Sequence, residues 1–276
     1  MAKLIIEAGR ANRNYWRDLW RFRELFFFLS WRDVLVRYRQ TAIGFAWAIL
    51  RPLLTMLVLT VVFGRVAKLP SAGVPYAILV FSAMLPWQFF ANSLSESSSS
   101  LVTNSNLITK IYFPRLIIPA SSVIVGMIEF LVSFLILGGL MAWYHFIPTW
   151  RIVFLPLFVV LAFLTALGPG LIATVLNVRY RDFRYIIPFV VQFGLYISPV
   201  GFSSSVISEK FSDSVRLLYS LNPMVGVIDG FRWAICGDSQ PIYGPGFLLS
   251  VGLSVLLLVA GLKYFRRMER KFADII

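Results

Sequence analysis

Six apolar runs decide what this chain can fold into. Read from the residues alone, they cover 42–64, 75–94, 116–144, 152–177, 185–202 and 245–264. A helix needs about 20 predominantly apolar residues to cross the hydrocarbon of a bilayer. A backbone N–H or C=O finds no water there, so a run that crosses must satisfy its own hydrogen bonds, as a helix does. Composition agrees: 58% of the 276 residues are hydrophobic and 14% charged, where soluble domains carry about 25% charged residues. The expected fold class is an all-α integral membrane protein with six transmembrane helices. Residues 1–41 are expected as a cytoplasmic N-terminus, 42–264 as the six-span domain and 265–276 as a cytoplasmic tail.

The charges orient the runs. Of the 26 Lys and Arg residues, nineteen fall before the first run, in the second-to-third and fourth-to-fifth connections, or from the last residues of the sixth run onward. Six fall in the other connections, and Arg51 lies within the first run. Cytoplasmic loops hold the excess of Lys and Arg, so both termini are expected in the cytoplasm. A formal net charge of +13 would point to nucleic acid in a soluble protein. Here the loop positions account for it, and no nucleic-acid partner is expected.

Several connecting segments carry their own pattern. Before the first run, "LFFFLSWRDVLVRYRQ" places Trp31, Val34, Leu35 and Tyr38 on one helical face and Ser30, Asp33, Arg37 and Gln40 on the opposite one. That is the pattern of an amphipathic helix lying in the membrane surface. On the far side, 203–244 is too long for a simple turn, and its "LLYSLNPMVGVIDGFRWAICG" is too polar to cross twice. It is expected to form short re-entrant helices in the outer leaflet. The "SESSSS" of 95–100 is expected to end the second run and open a cytoplasmic loop. The N-terminus has neither the apolar core nor the cleavage site of a secretory signal. Cys236 is a single cysteine, which excludes an internal disulfide, and His145, after Trp143 and Tyr144, reads as an interfacial residue.

Little in the chain points to covalent chemistry. There is no G-x-x-x-x-G-K-[ST], no H-E-x-x-H, no Cys/His cluster and no G-x-S-x-G. No catalytic residue and no metal site are expected. What remains is polar groups where lipid should be. Arg51 in "WAILRPLLTM" and Glu129 in "VGMIEFLVSF" stand inside runs, which costs several kcal/mol unless they are paired or hydrated. They read either as a bridge to each other or as the border of a polar path. Ser122, Gly126, Glu129 and Ser133 share one helical face, which should meet protein or water. Pro52, Pro86, Pro169, Pro188 and Pro199 interrupt four of the runs and suggest helices bent around something. The rings of "LPWQFF" lie too deep to form only an interface belt. Trp87, Phe89 and Phe90, with Tyr196 in the fifth run, are candidates to line a path, because such rings suit the apolar faces of sugars as well as lipid. Between the fourth and fifth runs, "NVRYRDFRYIIP" sets Arg179, Arg181 and Arg184 around Asp182, laced with Tyr180, Phe183 and Tyr185. Orientation accounts for the arginines but not for aromatic rings in water.

Five segments in order carry a resemblance. They are "WRDVLVRYRQTAIGFAWAILRPL", "LPWQFFANSL", "NSNLITKIYFPRLIIPASSV", "NVRYRDFRYIIPFVVQFGLYISPVGF" and "LNPMVGVIDGFRWAICG". Together they resemble the membrane subunit of ABC-2-type exporters, in particular the polysaccharide and teichoic-acid export permeases of bacteria. The likeness covers roughly residues 26 to 270. It implies a homodimer of this chain working with two copies of a separate ATP-binding cassette subunit, which suits the missing P-loop. ATP and Mg then belong to the partner subunit, and this chain carries no cofactor. The likeness also implies contacts to the ATPase through Leu107, Lys110, Tyr112, Phe113 and Arg115, and through Tyr180, Arg181, Asp182 and Phe183. An aromatic or aliphatic centre inside a charged rim is what a docking surface needs.

The cargo implied by the resemblance is a lipid-linked glycan crossing the bacterial inner membrane, read as O-antigen-like and built on an undecaprenyl pyrophosphate carrier. Arg32, Arg37, Arg39 and Arg51 are expected to draw the pyrophosphate by charge, and the aromatics to line the way out. Capsular polysaccharide, teichoic acid, and a drug or small lipid stay open within the family. Outside it stand a secondary transporter and an enzyme of glycan assembly. One Glu and one Arg within the runs and no visible repeat speak against the former.

Overall fold

The structure is a computed structural model that describes residues 15–39, 46–269 and 272, with the side chains of 38, 39 and 208–210 left outside. Two short helices, α1 (Tyr15–Arg21) and α2 (Arg23–Arg39), precede α3 (Ala46–Leu59), which continues as a π-helical turn, Thr60–Val66. Then come α4 (Tyr76–Thr103), α5 (Ser105–Lys110), α6 (Ile117–Trp143) and, after a 3-10 turn at Trp150–Phe154, α7 (Leu155–Arg179). The chain ends with α8 (Phe183–Ile197), α9 (Ser205–Lys210), α10 (Asp213–Tyr219), α11 (Pro223–Cys236) and α12 (Gly244–Met268).

Five of the described helices, not six, are long and apolar enough to cross a membrane: Ala46–Val66, Tyr76–Thr103, Ile117–Trp143, Trp150–Arg179 and Gly244–Met268. The start of the first expected run, 42–45, lies outside the described residues. The fifth run forms only α8, with 15 residues. At 1.5 Å per residue that is about 22 Å, short of the roughly 30 Å of hydrocarbon. Pro199 explains the shortfall. It disfavours helical backbone in the residue before it, and Ser198 is extended at φ −84°, ψ 151°. The apolar letters run on to Phe202, but the helix does not.

The expected re-entrant helices are corrected as well. Segment 203–244 holds α9, α10 and α11, and no re-entrant pairing is seen among them. α10 packs on α9 and α12, whereas α11 packs on α4, α7 and α12. α11 is a core helix anchored by Arg232, which is 1% exposed. Its guanidinium donates to the carbonyls of Leu79 (3.2 Å), Phe202 (2.7 Å) and Val200 (3.0 Å). A charge in such a place demands this many partners, and they fix α11 against the start of α4 and the turn after α8. Asn222 caps α11 by accepting from the N–H of Met224, and its Nδ2 donates to Ser198 Oγ.

α4 is the central helix. Ile78, Leu79, Val80 and Phe81 are fully buried, and α3, α6, α7, α8 and α11 pack around it. The serine-rich stretch 95–100 belongs to this helix rather than to a loop. Ser98 and Ser100 donate to the carbonyls of Ser95 and Ser97, both at 2.6 Å. Each hydroxyl is thereby satisfied within its own helix, and the small side chains let α7 approach. Thr174 Oγ1 donates to the Ser97 carbonyl and Asn177 Nδ2 to that of Ser98. α7 and α12 meet more closely still. A Cβ on Gly168 would stand 2.6 Å from the backbone N of Leu258, and one on Gly261 would strike the Gly168 carbonyl.

A second core closes the end of the bundle where α4, α7 and α12 finish. Tyr15, Leu29, Leu101, Ile108, Phe113, Phe265, Met268 and Phe272 are buried together there. Both ends of the described chain therefore lie at the same end of the bundle, the one richest in Lys and Arg.

Candidate functional site

A cavity of about 630 Å³ opens between α2, α3, α4, α6 and α8. Trp47, Trp87, Phe89 and Phe130 supply its apolar wall; Arg37, Arg51, Gln88, Asn92, Glu129 and Gln192 supply the polar one. Pro52 of α3 and Pro188 of α8 both reach it, so the helices on either side carry their hydrogen-bond breaks at its height. The small-residue face of α6 turns toward α4: a Cβ on Gly126 would lie 3.0 Å from Ser93 Oγ. Glu129 and Ser133 of the same face line the cavity.

Glu129 is not bridged to Arg51. It accepts from Arg37 Nη1 at 2.6 Å and from Asn92 Nδ2 at 2.7 Å. Arg37 also reaches Glu96 at 2.6 Å. Glu96 is half exposed, so that arm is worth at most about 1 kcal/mol. The Glu129 arm, three-quarters buried on both sides, holds α2 more firmly. Arg32 donates to Asp33 and to Asn104 Oδ1 at the end of α4. α2 thus turns its polar face inward on α4 and α6 and leaves Phe27, Phe28, Trp31 and Leu35 exposed, as a helix bedded in a membrane surface requires. A second cavity of about 450 Å³ lies behind it, bordered by Arg32, Arg37, Glu96 and Asn104. Arg51 is exposed, with no ion pair among the described residues. The Arg39 side chain lies outside the described residues.

Of the four candidate rings, Trp87 and Phe89 line the cavity. Phe90 stands behind Trp87, ring centroids 5.6 Å apart, against Leu94 and Ile187. Tyr196 lies on the outer face of α8, 64% exposed, in a stripe with Tyr185, Phe189 and Phe193. α3 is equally open: Leu54, Leu57 and Val58 are each 55% exposed.

At the basic end, Lys110, Tyr112, Tyr180, Arg181 and Asp182 are exposed, while Leu107 and Phe183 are half-buried. The Arg179 guanidinium lies 5.1 Å over the Tyr180 ring, which sits beside Phe183. Phe113 and Arg115 turn inward. Phe113 is 4% exposed in the second core. Arg115 bonds Glu269, just past α12, through both its backbone and its side chain. Burial raises the Glu269 carboxyl above its usual range, and the Tyr15 phenol beside it is raised too, again chiefly by burial.

Sequence reasoning did not single out Trp47, Gln88, Asn92, Glu96, Gln192, Asn104 or Glu269. Asn92 and Glu96 stand four residues apart on one face of α4, a spacing that marks a shared helix face. Among the described residues no three His, Cys, Asp or Glu side chains come together as a metal site.

Spanning helices around a polar, ring-lined cavity, with a surface of charges and rings at the basic end, define a membrane transport subunit. The chain belongs to the ABC-2 type transporter family, whose model matches residues 24–236. It is 29% identical over 260 residues to an O-antigen export system permease protein of Myxococcus xanthus, covering 94% of this chain and 98% of that protein. A Klebsiella pneumoniae protein of the same description is 26% identical over 89% of this chain and 92% of its own length. The capsule polysaccharide export inner-membrane protein CtrC of Neisseria meningitidis is 24% identical over 83% of this chain and 86% of its own. As a member of this family the chain is a multi-pass inner-membrane permease subunit of the polysaccharide-export kind. ATP hydrolysis resides in a separate partner chain.

Proposed function

We propose that this chain is the permease of an exporter that moves a finished lipid-linked polysaccharide, O-antigen-like and carried on undecaprenyl pyrophosphate, across the inner membrane. Two copies of the chain frame the path, and two copies of an ATP-binding cassette subunit, holding ATP and Mg, drive it. The observation that supports this best is the cavity that joins Trp47, Trp87, Phe89 and Phe130 to Arg51. It is bounded by α3 and α8, whose apolar faces stand free to meet a second copy. Aromatic rings stack on sugar faces without fixing a register, so a long chain can slide past them. A guanidinium matches a phosphate in charge and in its fork of donors. Arg32 and Arg37 are engaged by side chains of the bundle, and Arg51, which lines the cavity, is the cation we assign to the pyrophosphate. Lys110, Tyr112 and the Tyr180, Arg181, Asp182 and Phe183 group are assigned to the ATPase. The higher-identity relatives are O-antigen export permeases by name, which favours that cargo over a capsule.

The test is deletion followed by fractionation of the cell's lipid-linked glycans. Full-length chains should accumulate inside while surface polysaccharide disappears, and the trapped chain then names the sugar. An unchanged surface coat with no trapped chains rejects the reading. Arg51→Ala should lower surface glycan at least tenfold with the complex still assembled; wild-type surface glycan in that variant removes Arg51 from the path.

A further inference from the structure

The segment between α5 and α6 is anchored twice. One anchor is covalent, through α6. The other is the end of α12: the Arg115 backbone N–H donates to Glu269 Oε1 at 2.7 Å, and Arg115 Nη1 donates to the Glu269 carbonyl at 2.5 Å. Phe113, two residues earlier, is sunk among Leu29, Phe265, Met268 and Phe272. Tyr15 completes the cluster, with the Arg266 guanidinium 4.7 Å over its ring.

The chemistry of this joint is unusual for a purely structural one. A helix C-terminus carries partial negative charge and favours cations, yet Glu269 puts a carboxylate there and buries it. What the pair supplies is a two-point tie: the Glu269 side chain holds the loop's backbone N–H, and the Arg115 side chain holds the backbone carbonyl just past α12. From α12 the path continues through close packing, because α7 and α12 cross so tightly that a Cβ on Gly261 would strike the Gly168 carbonyl. α7 in turn is bonded to α4 at Ser97 and Ser98, and α4 carries Trp87 and Phe89 of the cavity wall.

We propose that Glu269 and Arg115 are a transmission pair, positioning residues that carry displacement of the α5 segment into α12 and on to the α7–α4 wall of the cavity. The proposal rests on the reading of 107–115 as the ATPase-docking segment. It gives a push two routes into the membrane: α6, bearing Glu129, and α12 with α7 and α4, bearing the rings.

The experiment uses the permease purified with its partner ATPase. Glu269→Ala removes the acceptor of the Arg115 N–H. The ATPase should co-purify as before and hydrolyse ATP within about twofold of wild type, while glycan exported per ATP falls at least fivefold. Glu269→Gln keeps an Oε1 acceptor and should restore most of that ratio. Arg115→Ala, which spares the carboxylate, is the second variant should Glu269→Ala fail to accumulate, and it should lower the same ratio at least twofold. An unchanged ratio in Glu269→Ala overturns the proposal. So does loss of the bound ATPase, which would make the pair part of the docking surface, and so does failure of both variants to accumulate, which would make it only structural. The underlying reading is tested separately by combining Lys110→Glu with Tyr112→Ala. If the ATPase still co-purifies with that variant, the docking reading fails whatever Glu269→Ala does.

Discussion

Asp229 stands one helical turn before Arg232, its carboxylate accepting from Ser204 Oγ at 2.6 Å. Burial pushes its pKa up to about 6 from 3.8, against the pull of that hydrogen bond and of Arg232 and Arg216. The folded protein therefore binds this proton more tightly than the unfolded chain does, and stability falls as pH rises from about 4 through about 6. A shift of about two units sets an upper bound of roughly 3 kcal/mol. In Asp229→Asn the melting temperature of the detergent-solubilised permease should lose its downward slope between pH 4 and 7; an unaltered slope would assign it elsewhere. Arg232→Ala should cost about 3–5 kcal/mol, because it removes the donor to three carbonyls and the positive charge that acts on Asp229, and the same melting curves would register it. At this scale the sequence announces which residues are odd without naming their partners. Arg51 and Glu129 are conspicuous because charge is expensive in lipid, whereas Arg232 passes as one more charge of a connecting segment. The Arg37 that holds Glu129 lies 92 residues away, and the acceptors of Arg232 are backbone carbonyls, which have no letter of their own.

Among the elements, the α7–α12 crossing depends on two absent side chains. Gly168→Val forces a Cβ into the backbone of Leu257 and Leu258, and overpacking of that kind costs about 1–3 kcal/mol. It should lower the melting temperature by several degrees. Gly252→Ala, on the same α12 with nothing within 4 Å of its Cβ, should not. Helix lengths were legible wherever apolar letters and helix ended together, as in α6 and α7. They were misread in two places for opposite reasons. α8 ends early because Pro199 acts on backbone geometry while the residues after it stay apolar. α4 runs on because serines look like linker but satisfy their hydroxyls within the helix. The amphipathic face of α2 was legible as a pattern. That its polar side faces the bundle was not, since the partners, Glu96, Asn104 and Glu129, come from two other helices.

For the molecule as a whole, α3 and α8 are the loose side of the bundle, with their apolar faces open beside the cavity. If a second copy covers them, Phe189→Cys in a Cys236→Ala background should give a covalent dimer on oxidation in native membranes. Leu135→Cys on α6, 75% exposed, should stay monomeric; the opposite result would move the dimer interface to α6. The buried guanidinium of α11 also has a consequence for biosynthesis. Synthesis runs from the N-terminus, so Leu79, Val200 and Phe202 are all made before Arg232 emerges. Their carbonyls wait for a donor that arrives late, and that donor is too polar to enter lipid alone. The end of the bundle that holds Arg232 therefore stays unfastened until α11 has been made, and a nascent chain cut short before α11 leaves the ribosome without that bolt.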